Sequence, residues 1–151
     1  MTELPLRDRA GNVLLAVRRV AERELPPVAA SLVVVRHAGA VLLMLDRRRG
    51  QWELPGGVRE PGETAREAAV RELAEETGLR GVALTFAAVA EFDLVGPVRR
   101  ELLAVYRTEL AAVPRLTLSG EGLGFRWWPP GGPAGPATSP LDAELAARAW
   151  T

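Results

Sequence analysis

The chain has 151 residues, enough for one domain with a real core and too few for two comfortable ones. Its 19 basic and 19 acidic side chains cancel, which removes any electrostatic case for a polymeric nucleic acid or an anionic membrane as partner. There is no cysteine, so neither a disulfide nor a zinc-thiolate centre can form. The longest apolar runs are strand-sized, far short of a membrane span, and the N-terminus lacks the basic start and apolar core of a secretory leader. A cytoplasmic location is the expectation.

In chain order, Val13–Val20 and Val28–Arg36 read as strands, separated by a polar stretch ending in Pro26-Pro27. His37-Ala-Gly39 is a turn into a strand at Ala40–Asp46, so residues 28–46 form a hairpin, and His37 is a turn residue without a function. A basic loop, Arg47–Gly50, leads to Trp52–Gly57, a short strand entering a tight turn whose paired glycines let backbone approach a ligand closely. A long strand is expected over Val82–Val95, broken by Gly96-Pro97, with an alternating partner over Arg99–Leu110 and a short strand at Gly124–Trp128. In that last strand Trp127 and Trp128 face opposite ways. Pro129–Pro140 reads as a flexible Pro/Gly connection, and Leu141–Trp150 as a closing amphipathic helix. The composite is a mixed α/β sandwich.

The densest information lies in residues 57–79, GVREPGETAREAAVRELAEETGL. Thr64 and Glu67 make a capping box, and Gly78 falls where a left-handed residue closes a helix. At about 100° per residue, Glu72, Glu75 and Glu76 share one face. Ala69, Val70, Leu73 and Thr77 gather into the buried stripe, and Ala65 and Ala68 flank the carboxylates, where small side chains leave room for a ligand. Arg71, one turn before Glu75, is placed to pair with it. Three like charges on one face repel unless a cation joins them, and hard Mg²⁺ or Mn²⁺ suits carboxylate oxygens. A solvated charged face is the alternative for the glutamates alone.

Gly57, Glu63, Arg71-Glu72, Glu75-Glu76 and Gly78 together fill every constrained position of a pattern that resembles the Nudix hydrolase signature. The resemblance covers about residues 28–150. It implies a Nudix-type α/β/α sandwich with a mixed sheet, the signature forming a loop-helix-loop. The domain is expected over 28–151, with residues 1–27 an extra strand, an arm across a dimer partner, or a surface extension.

The resemblance also implies a Mg²⁺-dependent (or Mn²⁺-dependent) enzyme that hydrolyses a pyrophosphate bond in a small nucleotide. It leaves a homodimer open. By the match, Gly57 (through its carbonyl), Glu72, Glu75 and Glu76 are the expected metal ligands. Glu63 orients the loop, and Arg71 clamps the glutamates. Glu72 is the expected base, with a downstream carboxylate as its competitor. Glu121 is the downstream candidate for an extra metal ligand, against a solvent-exposed turn residue. Arg47 is the expected phosphate contact. Trp52 either stacks on a base or packs under the turn. Substrate markers are weak: Pro97 falls late for the ADP-ribose marker, and the only asparagine is Asn12, far from the C-terminal position that reads oxidised guanine in relatives. A MutT-like nucleoside triphosphate hydrolase is the leading reading. An ADP-ribose or nucleotide-sugar pyrophosphatase is second, and a sensor without turnover third.

Overall fold

The computed structural model describes residues 1–151 and contains nine strands and two α-helices. The strands are β1 (Leu6–Arg7), β2 (Val13–Arg18), β3 (Ala30–His37), β4 (Ala40–Asp46), β5 (Trp52–Glu53), β6 (Gly56–Val58), β7 (Thr85–Leu94), β8 (Arg99–Glu109) and β9 (Gly122–Trp128). The helices are α1 (Ala65–Thr77) and α2 (Pro140–Arg148). No helix is long and apolar enough to cross a membrane.

Continuous apolar runs in β3 and β4 are those of strands covered on both faces. Alternation then divides one sheet between two cores. Val34, Val41, Leu43 and Val105 pack with Leu141 and Leu145 of α2, whereas Val33, Val35, Leu42 and Tyr106 pack with Ala69 and Leu73 of α1. The helices therefore lie on opposite faces, an α/β/α arrangement. Both tryptophans of β9 are used: Trp128 enters the α2-side core, and Trp127 packs on the α1 side, edge-on to His37.

The sheet runs β1-β2-β7-β8-β3-β4-β5 and is mixed, because β3 lies parallel to β8 while the remaining pairs are antiparallel. Strand β8 occupies one edge of β3 along residues 30–36, so β4 and β6 must share the other edge. Strand β4 pairs β3 only at Arg36 and His37, and β6 pairs it at Ala30–Leu32. Between them the sheet forks, and Val33 N–H donates to Pro55 O within the gap. Residues 1–27 extend the sheet: β2 pairs β7, and β1 pairs β2.

Two expectations about packing are corrected. The Pro129–Pro140 segment is held rather than loose. Trp128 Nε1 donates to Gly132 O, Arg126 donates to Ala134 O, and Trp52 exchanges backbone hydrogen bonds with Ala137 and Ser139. Helix α1 is also rolled relative to its sequence reading. Val70 is 49% exposed, while Ala68 is wholly buried and the Ala65 carbonyl accepts a hydrogen bond from Ser31 Oγ. Its small residues let the helix sit close to β3 rather than leaving space for a ligand.

Candidate active site

The loop before α1 and the helix itself converge on the fork. Both halves of the capping box form: Glu67 N–H donates to Thr64 Oγ1 at 3.0 Å, and Thr64 N–H to Glu67 Oε1 at 2.9 Å. Gly78 ends the helix at φ 79°. The two glycines in the turn are required for different reasons. A Cβ on Gly56 would lie 2.2 Å from Ser31 O, and one on Gly57 would lie 2.7 Å from the Glu72 carboxyl group. Gly56 therefore admits the turn to the sheet, and Gly57 admits Glu72 to the turn.

Arg71 is the hub of the acidic cluster. Its Nε and Nη2 grip both oxygens of Glu63 at 2.7 and 3.0 Å. Its Nη1 reaches Glu72 Oε1 at 2.9 Å and Glu75 Oε2 at 3.3 Å, and Nη2 also donates to Val58 O. The Arg71 guanidinium, helped by Glu60 N–H, holds the Glu63 carboxyl down to about 2. The expected Arg71–Glu75 pair is present, but it is the longest of these contacts. Arg59 adds a second clamp on the loop, donating to Val28 O and Glu63 O.

The remaining carboxylates differ in surroundings. Glu76 is only 6% exposed, and its Oε1 accepts from Gly56 N–H at 2.7 Å. Burial pushes it up to about 8 despite that hydrogen bond, with Glu72, Glu121 and Glu53 adding repulsion. Burial also raises Glu72, opposed by Arg71 and reinforced by Glu75 and Glu121. Glu75 is exposed at the helix surface. Glu121, in the exposed loop before β9, adds its charge to the repulsion felt by both Glu72 and Glu76.

No three carboxylates share one focus, because Glu72 is turned onto Arg71 and Glu76 onto Gly56 N–H. The donor set nonetheless fits a hard divalent cation. Its members are oxygen donors, and neighbouring carboxylate charges raise the proton affinity of Glu72 and Glu76, beside a backbone approach that only a glycine permits.

A cavity of about 290 Å³ runs from Gly57 and Val58 to the start of α2. Its walls include Leu32, Phe92 and Leu103, and its polar end includes Glu53 and Asp142. Sequence reasoning missed both acids. Asp142 accepts a hydrogen bond from Leu54 N–H at 2.8 Å, and desolvation together with the Glu53 charge pushes it up to about 7. The available signal was Ser139-Pro140, a helix start that places the third residue on in the first turn.

Of the expected substrate contacts, neither lines this cavity. Arg47 clips the Glu121 loop, with Nε donating to Gly120 O and its backbone N–H to Glu121 O. Arg49, not Arg47, reaches toward the cavity and grips both oxygens of Glu53. Trp52 points the other way along β5, packs against the α2-side core and carries the Arg126 guanidinium over its ring. That is the packing alternative.

Comparison with known proteins agrees with this geometry. The chain is 42% identical over 71 residues to a MutT-like protein of Streptomyces ambofaciens, covering 45% of this chain and 46% of that one. It is 47% identical over 49 residues to a putative 8-oxo-dGTP diphosphatase of Bacillus subtilis, covering 32% and 33%. It thus spans less than half the length of these curated relatives. Among solved structures, a MutT NUDIX hydrolase from Burkholderia pseudomallei superposes with a TM-score of 0.70 at 19% identity, over 82% of this chain and 98% of that one. The NUDIX domain family itself matches residues 25–147, most of the chain. With that match laid over the loop, helix and acidic cluster around Arg71, the chain belongs to the Nudix family.

Proposed function

We propose that the protein is a metal-dependent hydrolase that cleaves a pyrophosphate bond in a nucleoside triphosphate or a related nucleoside diphosphate derivative. The observation that carries this reading is the Arg71 hub. It holds Glu63 and Glu72 in fixed positions against the Gly57 backbone, at the mouth of a cavity large enough for part of a nucleotide. The names of the MutT-like and diphosphatase relatives support the same substrate class.

Glu72, Glu75 and Glu76 would hold the cation, with the Gly57 carbonyl and Glu121 as further donors. A divalent ion there supplies neutralisation of phosphate oxygens and a more acidic attacking water. Arg71 engages only Oε1 of Glu72, so Oε2 is free to take the water's proton. Glu63 takes no part in proton transfer: gripped by Arg71 and held down to about 2, it stays ionised and keeps Arg71 in place. The apolar cavity wall receives the nucleoside, and the Gly56-Gly57 turn brings backbone against the phosphates.

The test is release of phosphate or pyrophosphate from a panel of nucleoside triphosphates, ADP-ribose, nucleotide sugars and dinucleoside polyphosphates, with Mg²⁺ or Mn²⁺. Turnover that disappears on chelation and in Glu75→Gln supports the hydrolase. A folded protein that binds nucleotide with Mg²⁺ and turns over nothing would be a sensor instead.

A further inference from the structure

Helix α1 is tied down twice, and only one tie lies within the signature segment. Arg71 binds it to its own loop through Glu63 and Val58 O. Arg66, in the first turn, binds it to Glu22, which starts a short 3₁₀ turn between β2 and β3. Arg66 Nε and Nη2 grip both oxygens of Glu22 at 3.0 and 2.7 Å, and Nη1 donates to Leu84 O at 2.8 Å. Glu22 Oε2 also accepts from the Tyr106 hydroxyl at 2.8 Å. Tyr106 is wholly buried, packed in one core with Ala69 and Leu73 of the same helix, and the Arg66 guanidinium stands 5.1 Å over its ring. A buried phenol needs a polar partner, and Glu22 provides it. The Arg66 guanidinium and the Tyr106 hydroxyl together hold the Glu22 carboxyl below its ordinary value. Glu22 lies outside the family match, which begins at residue 25.

The packing of α1 makes the second tie necessary. Its buried side chains are Ala68, Ala69, Leu73, Ala74, Glu76 and Thr77, so Leu73 is the one large apolar group among them. Alanines raise only low ridges, which oppose rotation of a helix about its axis weakly. Arg66 and Arg71 stand about 140° apart around the helix, at about 100° per residue, and they grip different elements. Side chains end about 5–6 Å from the helix axis, so a roll of about 10° moves them by about 1 Å. Glu72, Glu75 and Glu76 would shift together against the Gly57 backbone, which is paired to Ser31 of β3. Displacement of that size costs up to about a hundredfold in rate.

We propose that Glu22 is a positioning residue: through Arg66, and braced by Tyr106, it fixes the roll of α1 and so aims the three glutamates at their cation. None of Glu22, Arg66 and Tyr106 lines the cavity beside Gly57, so the effect is on metal binding and turnover rather than on substrate capture. This rests on the reading that Glu72, Glu75 and Glu76 hold a divalent ion.

The experiment measures Mn²⁺ affinity by the electron paramagnetic resonance signal of the free ion, beside kcat, KM and a melting curve. The proteins are the full chain, Glu22→Ala, Glu22→Gln, Arg66→Ala and the double alanine variant. In Glu22→Ala the Mn²⁺ dissociation constant rises about fivefold and kcat falls about tenfold, with KM within about twofold. Glu22→Gln keeps an oxygen for the guanidinium and regains part of both losses, and it carries the test should the alanine variant not fold. Glu22→Ala and Arg66→Ala cut the same tie, so the double variant loses no more than the worse single one. Wild-type kcat and Mn²⁺ affinity in the folded Glu22 variants, whatever their melting temperatures, would overturn the assignment. A raised KM at unchanged kcat, or additive losses in the double variant, would do the same. The wild type alone judges the hydrolase reading. If it binds Mn²⁺ but turns over nothing, that reading fails while the affinity ratio still decides the role of Glu22; if it binds no Mn²⁺, both fall.

Discussion

Asp142→Asn should stabilise the protein at alkaline pH and leave it nearly unchanged in acid. Asp142 sits at the first turn of α2 beside Glu53, with its carboxyl group pushed from 3.8 up to about 7, first by desolvation and then by the Glu53 charge. Between those values the folded protein binds more protons than the unfolded chain, so stability falls as pH rises. The penalty is absent below 3.8 and complete above about 7. A difference of about 3 units corresponds to about 4 kcal/mol at full weight, and half-burial screens it to about 2–4 kcal/mol. Asparagine keeps an oxygen for Leu54 N–H and presents an amide, rather than a charge, to Glu53. Urea unfolding at about pH 4 and about pH 8.5 measures the effect. Glu76, raised to about 8 by burial, gives the wild type a second contribution of the same sign, so the informative quantity is the difference between variant and wild type. That difference should grow by about 2–4 kcal/mol in favour of the asparagine between the two pH values. Parallel curves, within about 0.5 kcal/mol, would mean that Asp142 ionises normally and that its site is open to water.

Gly57→Ala should reduce kcat by about tenfold or more, because its Cβ would lie 2.7 Å from the Glu72 carboxyl group and must displace it. Steady-state kinetics beside a melting curve checks this, and an unchanged kcat in a folded variant would detach Gly57 from Glu72. Arg71→Lys should lower kcat by about a hundredfold with circular dichroism preserved, since a point charge cannot bridge Glu63, Glu72 and Glu75 as the planar fork does. Near wild-type rates would show that the hub is dispensable. Glu121→Gln should weaken the apparent affinity for Mg²⁺ in activity titrations, because its charge is felt by both Glu72 and Glu76. Unchanged kcat and metal dependence would remove it from the site.

What the sequence made legible is what is decided locally. The capping box at Thr64 and Glu67, the left-handed stop at Gly78 and the β4 span Ala40–Asp46 all depend on neighbours a few residues away, and all appear where expected. The roll of α1 does not. Val70 lies on the outer margin of the helix and Ala68 on the buried one because β3 and the fork fix the helix against the sheet, which no helical period reports. Asp142 escaped notice for a related reason: its partner Leu54 is 88 residues away in sequence. Trp52 and Glu53 were separable only by register, since pairing with Leu45 and Met44 sends one toward the α2-side core and the other into the cavity. The Pro-rich segment misled through composition, which reports backbone stiffness and turns but not the anchors that Arg126 and Trp128 supply.

The signature segment alone therefore does not make the site. Glu76 is held by Gly56 N–H, and that donor is in position only because the turn enters the gap where β4 leaves β3. The gap exists because β8 takes the whole opposite edge of β3, forcing β4 and β6 to divide what remains. Ser31 serves both sides of this junction. Its carbonyl lies where any side chain on Gly56 would collide, and its hydroxyl donates to the first residue of α1. The parallel β3–β8 pairing and the acidic helix are thus linked through three residues, Ser31, Gly56 and Glu76. A cation held by Glu76 would be coupled to the sheet through Gly56 N–H. Disturbing Ser31 should therefore affect the site as directly as disturbing the loop, although Ser31 carries no charge and lies wholly buried.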